Sequence, residues 1–462
     1  MVELRLDEIA RRMGGAVLQG DSGRLYRSFN LDSRLTSPGD LFFAVPAARD
    51  GHDFVDDARR RGAGGAVVSR EVSVADASFG LVRVRDTVEA LQRLAAETLR
   101  VRRVGVVGIT GSAGKTTTKE FAAELLGARF RVLKSTGNYN NHLGLALSLL
   151  NLEARHDLAV LEMAMSGPGE ILLLTRVAPP DVAVITNVHP VHLAFFKSLE
   201  DIAAAKAEIL DGLKPGGTAV LNGDDPLLRK TAETWTGRIV RFGLSDGCDV
   251  RAENIGFRGF EGLEFVLRVG GITLPVSLPF YADAFVLNFL AAVGAALALG
   301  LTPEEIQPRF GLLKPLHGRG SLVRLAGGIV LVDESYNSNP RALESALRGA
   351  ARFQAERRVA VLGDMLELGP AEAEFHRRSG RLAAELGFGL LVTVGSLARL
   401  MAEGASEAGL DRSRIFSYPD AGEAAAGLPA ILRGGDLVLV KGSRGVHLDH
   451  VVNGLKNGIK ET

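Results

Sequence analysis

Val104 to Thr118 reads V-G-V-V-G-I-T-G-S-A-G-K-T-T-T, a β-branched apolar run that breaks into glycines and closes on Lys115 and Thr116. The apolar run predicts a buried parallel strand. The glycines let the backbone turn tightly enough for its N–H groups to face an anion, and a helix is predicted to start at the lysine. In such loops the lysine reaches the β- and γ-phosphates and the hydroxyl holds Mg²⁺, which makes Gly111, Ser112, Ala113, Gly114, Lys115, Thr116 and Thr117 a candidate phosphate cradle. The general pattern G-x-x-x-x-G-K-[ST] has glycine where Ile109 stands here; this chain has its glycines at 108, 111 and 114, so T-G-S-A-G-K-T-T is a variant of that loop. The alternative is a glycine-rich turn with an exposed lysine. The strand before it and the K-T-T-T and helix-forming run after it argue against that.

Working outward, 462 residues exceed one ordinary domain and suggest three of about 150 each. The 54 Lys and Arg balance 54 Asp and Glu, so no global field draws the chain to nucleic acid or an anionic membrane, and a polyanionic ligand must be held by local groups. Cys248 is the only cysteine, which excludes an internal disulfide framework and a Cys-based metal site and fits a reducing cytoplasm. The start, M-V-E-L-R-L-D-E-I-A-R-R, lacks the apolar core of a signal peptide, and the apolar stretch from Phe289 to Leu301 is shorter than the roughly 20 residues a membrane span needs. A soluble cytoplasmic protein is expected.

Residues 1–100 read as a small α/β domain in which Asp32, Ser33 and Arg34 precede a Pro-Gly turn and Asp50, Gly51 and His52 precede an amphipathic helix. Taken singly, a turn or a helix cap explains each of these better than a ligand contact. From 101 to 315 strands and helices alternate. D-L-A-V-L-E-M-A-M, D-V-A-V-I-T-N-V and G-T-A-V-L-N-G-D-D each end an apolar run in polar residues, as parallel strands do where a site lies at their carboxyl ends. Glu162 sits inside such a strand, where a carboxylate is costly unless paired or metal-bound. His192 follows the next strand and Lys206 lies in the helix after that; a capping histidine and a solvated lysine explain these two as well as a ligand role does. An antiparallel excursion is expected after Arg251, and Asn288 is expected to open the alanine-rich helix F-L-A-A-V-G-A-A-L-A-L-G. From 316 the pattern resets into a second doubly wound unit, with Asp333, Asp364 and Lys441 at predicted strand ends.

With these motifs laid out, the chain resembles the Mur ligases, the ATP-dependent amide-forming enzymes of bacterial cell-wall precursor synthesis. The T-G-S-A-G-K-T-T loop is that family's variant. The telling segments are S-T-G-N-Y-N-N-H-L-G at 135–144, L-E-M-A-M-S-G-P-G-E-I at 161–171, D-E-S-Y-N-S-N-P at 333–340, L-G-D-M-L-E-L-G at 362–369 and V-K-G-S-R-G at 440–445. Through the last three the resemblance points, within the family, to a ligase that joins D-alanyl-D-alanine to a UDP-N-acetylmuramoyl-tripeptide. The resemblance implies an α/β protein of three domains: a small N-terminal domain for the UDP-sugar (1–100), a central P-loop parallel-sheet ATPase domain (101–315) and a C-terminal Rossmann-like domain for the dipeptide (316–462). It implies Thr116, Glu162, His192 and Lys206 around Mg²⁺, with Lys206 a candidate carbamate. Asn288, Arg319 and Asp333 would meet the nucleotide. Ser33, Arg34, Asn138, Asn140 and Asn141 would lie along the UDP-sugar peptide, and Tyr336, Asn337, Lys441, Ser443 and Arg444 near the incoming dipeptide. Lys115, Glu162, His192, Lys206 and Arg319 form the implied catalytic set. No nucleic acid or membrane partner is implied, and a monomer is expected.

Two positions depart from the family pattern. His189 stands where T-N-x-G-x-A-H has glycine, and Phe285 where a His-Asn pair usually precedes the adenine asparagine. Three other readings stay open: a sister ligase such as the tripeptide-forming enzyme or folylpolyglutamate synthase, a P-loop switch without an N-K-x-D guanine motif, and an inactive scaffold. The acceptor used, the absence of any amide product and the state of the catalytic set respectively separate them.

Overall fold

Among the described residues three large sheets, with a two-stranded antiparallel pair of Leu4–Arg5 and Leu25–Tyr26 beside them, are built where the sequence alternates buried apolar runs with helices. The structure is a computed structural model and describes residues 3–191 and 195–459, so His192 lies outside the described residues. In the N-terminal sheet the strands lie in the order Ala16–Gln19, Gly80–Arg83, Gly65–Val68, Leu41–Phe43 and Phe29–Asn30. All pair in parallel except the first. Its core is Phe42, Ala44, Val55, Ala58, Val68 and Leu81, with the small G-A-V-V strand buried throughout. The helix Thr87–Arg102 starts where the Asp86 carboxylate accepts from the N–H groups of Val88 (2.7 Å) and Glu89 (2.9 Å). Residue 100, taken from the sequence as a domain boundary, falls inside this helix.

The central sheet has nine strands, beginning in spatial order at Ile272, Leu263, Val250, Arg238, Thr218, Val182, Gly105, Leu158 and Val132. Gly105–Thr110 pairs in parallel with Leu158–Glu162, which places Glu162 opposite Ile109. A side chain at Gly108 would come within 3.2 Å of Ile209 and Met163, so the glycine lets those residues close over the strand. The strands from Val250, Leu263 and Ile272 form the expected antiparallel excursion. The helix Ala284–Ala298 is buried on nearly every face. It begins four residues before Asn288, which therefore stands in its second turn and does not open it. Ala284 to Leu287 contain no helix breaker and carry the helix back to Asp283. Among the described residues no helix is long and apolar enough to cross a membrane.

The C-terminal sheet orders its strands Ser321–Arg324, Val330–Glu334, Asp436–Lys441, Arg357–Gly363, Leu390–Val394 and Ile415–Tyr418, all parallel except the first. Asp333, Asp364 and Lys441 stand at its carboxyl ends, as the sequence predicts. By its contacts the chain divides into two compact units: Met1–Thr110, Leu126–Val184 and Ala205–Ala219 in one, and Gly111–Leu125, Ile185–Ala204 and Val220–Thr462 in the other.

Candidate active site

In the second unit the glycine loop leads straight into the helix Lys115–Leu126, as expected. Gly111 has φ +144° and Gly114 φ +80°, backbone that side-chain-bearing residues rarely adopt. Space is excluded as well, since a Cβ on Gly111 would collide with Thr186 Oγ1 and one on Gly114 with Asn288 Oδ1. The loop is held by the polar end of the Val182–Ile185 strand. Thr186 Oγ1 donates to Ala113 O (2.7 Å), Asn187 Nδ2 donates to the same carbonyl (3.1 Å), and Asn187 Oδ1 accepts from Ala113 N (2.9 Å). Ser112 Oγ accepts from the N–H of His189 (2.9 Å) and donates to its carbonyl (3.0 Å). Lys115 Nζ donates to Gly111 O (2.7 Å), folded back over the loop. Thr116 is half-buried and Thr117 buried at the start of the helix. Asn288, 8% exposed, accepts from Thr118 Oγ1 at 3.4 Å, so its amide supports the loop from the far side.

The same unit brings the C-terminal motifs together. Asp333 is fully buried; its Oδ2 accepts from Gly318 N (3.2 Å) and its Oδ1 from Ser335 N (3.2 Å) and Ser335 Oγ (2.6 Å). It thus ties the turn carrying Arg319 to the loop carrying Tyr336. The Arg319 guanidinium lies 4.1 Å from the Tyr336 ring centre, and that of Arg444 lies 5.6 Å from it. Lys441 is 3% exposed and donates to Glu334 Oε2 (3.0 Å) and Asn337 O (3.0 Å), while Tyr281 donates to Glu334 Oε1 (3.1 Å). Burial and the Glu334 carboxylate push the Tyr281 hydroxyl well above its ordinary value. Ser443 Oγ accepts from Leu366 N (2.9 Å) and its N–H donates to Asp364 O (2.9 Å). Arg444 N meets Asn337 Oδ1 at 3.4 Å.

In the first unit Glu162 ends its strand at 3% exposure, and its Oε1 accepts from Asn140 Nδ2 (2.8 Å). Asn141 Oδ1 accepts from Gly144 N (2.9 Å) at the start of a helix, and Asn138 is exposed. Lys206 is 2% exposed within the helix Leu199–Asp211. Asp32 accepts from Arg34 Nε (2.9 Å) and Nη2 (2.7 Å), and Ser33 is buried beside them. The Arg34 hydrogen bonds hold the Asp32 carboxyl below its ordinary value. Asp50 caps His52 through its backbone N–H (3.0 Å) and ring (2.6 Å), which brings the carboxyl down to about 2, so this pair is the helix-cap device that the sequence favours.

Sequence reasoning passed over Thr186, Asn187 and Glu334. The first two had a signal, the T-N that closes an apolar strand beside the loop. Glu334 had none, because its partners stand at 281 and 441. The two departures also find their setting. His189 supplies backbone to Ser112, and Phe285 stacks on Phe280 (4.5 Å between centres) with its ring over Gly320, where a Cβ would come within 2.6 Å of it. Among the described residues no group of three or more His, Cys, Asp or Glu side chains is placed to hold a metal. The implied set contains only two such residues, Glu162 and the undescribed His192.

Residues 109–296 match the Mur ligase middle domain and 318–444 the Mur ligase, glutamate ligase domain. The UDP-N-acetylmuramoyl-tripeptide--D-alanyl-D-alanine ligase of Bacillus subtilis is 34% identical over 92% of each chain. A crystal structure of MurF from Acinetobacter baumannii superposes with a TM-score of 0.89 at 30% identity, covering 98% of this chain and 99% of that one. MurF ligase from Thermotoga maritima, solved in complex with ADP, gives 0.82 at 32% identity over 94% and 98%. The chain belongs to the Mur ligase family.

Proposed function

We propose that this chain is the ATP-dependent ligase that adds D-alanyl-D-alanine to UDP-N-acetylmuramoyl-tripeptide, completing the pentapeptide precursor of peptidoglycan with release of ADP and phosphate. The observation that carries the reading is the cluster of the three acceptor-selecting motifs: Glu334 and Asn337 contact Lys441, and Leu366 contacts Ser443. The Bacillus subtilis relative carries that activity in its name, and the Thermotoga maritima one is solved with ADP.

In this reading the tripeptide carboxylate attacks the γ-phosphorus of ATP, an acyl phosphate forms as ADP leaves, and the dipeptide amine then displaces phosphate. Lys115, turned toward Gly111 O here, swings to the β- and γ-phosphates and offsets the repulsion between carboxylate and triphosphate. The loop N–H groups, held in shape by Thr186 and Asn187, cradle the phosphates. Asn288, Arg319 and Asp333 serve the nucleotide; the buried Asp333 acts by fixing the Arg319 turn. Ser33, Arg34, Asn138, Asn140 and Asn141 face the UDP-sugar peptide, and Tyr336, Asn337, Lys441, Ser443 and Arg444 the acceptor, with Lys441 acting through the loop it anchors. With the first boundary moved to the end of the helix Thr87–Arg102, the roles divide as 1–102 for the UDP-sugar, 103–315 for ATP and 316–462 for the dipeptide. Closure of the last one keeps water from the acyl phosphate.

Donor chemistry supports Mg²⁺ as the ion: a hydroxyl at Thr116 and a buried carboxylate at Glu162 are hard oxygen donors. His192 and Lys206 complete the set, and a carbamate on Lys206 would turn a buried cation into an acidic ligand. Mg²⁺, when bound, supplies neutralisation of the triphosphate charge. The cytoplasm is the matching compartment and a monomer the matching state. An acceptor panel tests the reading. Mass analysis finds the pentapeptide with D-alanyl-D-alanine and no product with a diamino acid or glutamate; product with either of those instead would assign the chain to a sister ligase.

A further inference from the structure

Tyr336 receives two cations. The Arg319 guanidinium sits 4.1 Å and the Arg444 guanidinium 5.6 Å from its ring centre, both within the roughly 6 Å over which a ring attracts a cation. Neither arginine has an ion pair among the described residues.

Arg319 stands in G-R-G, between Gly318 (φ +70°) and Gly320 (φ +84°). Glycines on both sides leave an arm that costs much entropy to fix. The neighbours fix it instead. A Cβ on Gly318 would come within 3.0 Å of Tyr336 Cβ, and one on Gly320 within 2.6 Å of Phe285, so the turn is pressed between the two aromatic side chains. Tyr336 N donates to Gly318 O (3.2 Å), and Asp333 clamps both segments. Arg444 reaches the same ring from V-K-G-S-R-G, where its N–H meets Asn337. The other charges nearby are already engaged. Lys441 pairs with Glu334, and Asp333 faces His317 (3.4 Å) and Lys456 (3.9 Å).

We propose that Tyr336 is the positioning residue of this site, its ring holding both guanidiniums, that of Arg319 for the nucleotide phosphates and that of Arg444 for the incoming dipeptide. The inference rests on the ligase reading and deepens it: one ring links the arginine assigned to the nucleotide with the arginine assigned to the dipeptide. The ring face, not the hydroxyl, carries the effect.

The test compares Tyr336→Leu and Tyr336→Phe, each also in an Arg319→Ala background. Calorimetry with a non-hydrolysable ATP analogue and Mg²⁺ needs no turnover, and steady-state kinetics follow the dipeptide. Tyr336→Leu is expected to weaken the analogue and raise the dipeptide KM, each about tenfold, because it frees both arginines. Tyr336→Phe regains most of both losses. With Arg319 already removed, Tyr336→Leu leaves the analogue affinity where Arg319→Ala put it. Phenylalanine no better than leucine, or a full further loss in the Arg319→Ala background, overturns the proposal. An unaltered chain that binds the analogue yet forms no amide with the dipeptide overturns the ligase reading instead, and the calorimetry still decides the role of the ring.

Discussion

Replacing Gly114 with alanine tests the loop architecture most sharply. Its φ of +80° costs an L-residue about 1 kcal/mol. The new Cβ would also occupy the place of Asn288 Oδ1, so that amide must withdraw and give up its bond from Thr118, worth about 1 kcal/mol more. Adding some repacking around an almost buried side chain, the loop either keeps its shape at a cost of about 2–3 kcal/mol in stability or shifts and loses that much in nucleotide binding, about 30- to 150-fold in Kd. Gly216 is the control. It has the same φ of +80°, and a Cβ placed on it would meet nothing within 4 Å, so Gly216→Ala carries the strain without the collision. Denaturant midpoints and calorimetry with an ATP analogue, measured on both variants, separate the two contributions. If Gly114→Ala costs no more than Gly216→Ala in stability and binding together, the packing of Asn288 against the loop is not what shapes it.

Two further outcomes follow from single groups. Glu162→Gln keeps an oxygen to accept from Asn140 but removes the charge, so the variant should lose about 100-fold or more in turnover; turnover within a few-fold of the parent would remove Glu162 from the metal set. Burial pushes the Cys248 thiol up to about 11, with Asp224 and Asp249 adding to the shift. The thiol therefore stays protonated at pH 8, and alkylation of the native protein should run about 100-fold slower than in denaturant and climb steeply toward pH 11, whereas equal rates in both states would contradict the burial.

The sequence was most legible where function is local in the chain. The strand–loop–helix at Val104–Thr118 was readable because its glycines, lysine and hydroxyls lie within fifteen consecutive positions of regular pattern, and the carboxyl-end placement of Glu162, Asp333 and Lys441 followed from apolar runs ending in polar residues. What escaped is what joins distant positions. Nothing local marks Glu334 as the partner of both Tyr281 and Lys441, so the burial and engagement of Lys441 emerge only from the fold. Phe285 read only as a departure from the family's His-Asn pair; its sense appears once Gly320 lies beneath its ring, a small-for-large exchange between separate segments. Asn288 misled in another way. A polar residue ahead of an alanine-rich run resembles a helix cap, but Ala284–Leu287 favour helix as well, and the asparagine faces the phosphate loop from the second turn.

The central claim is activation of the tripeptide carboxylate by phosphoryl transfer, and the most direct measurement follows that carboxylate's own oxygen. With UDP-N-acetylmuramoyl-tripeptide carrying heavy oxygen in its terminal carboxylate, ATP, Mg²⁺ and D-alanyl-D-alanine, the account predicts one labelled oxygen in each phosphate released and the remaining one in the new amide of the pentapeptide. Unlabelled phosphate appearing alongside pentapeptide would contradict it, because the carboxylate oxygen would then never have been bonded to phosphorus.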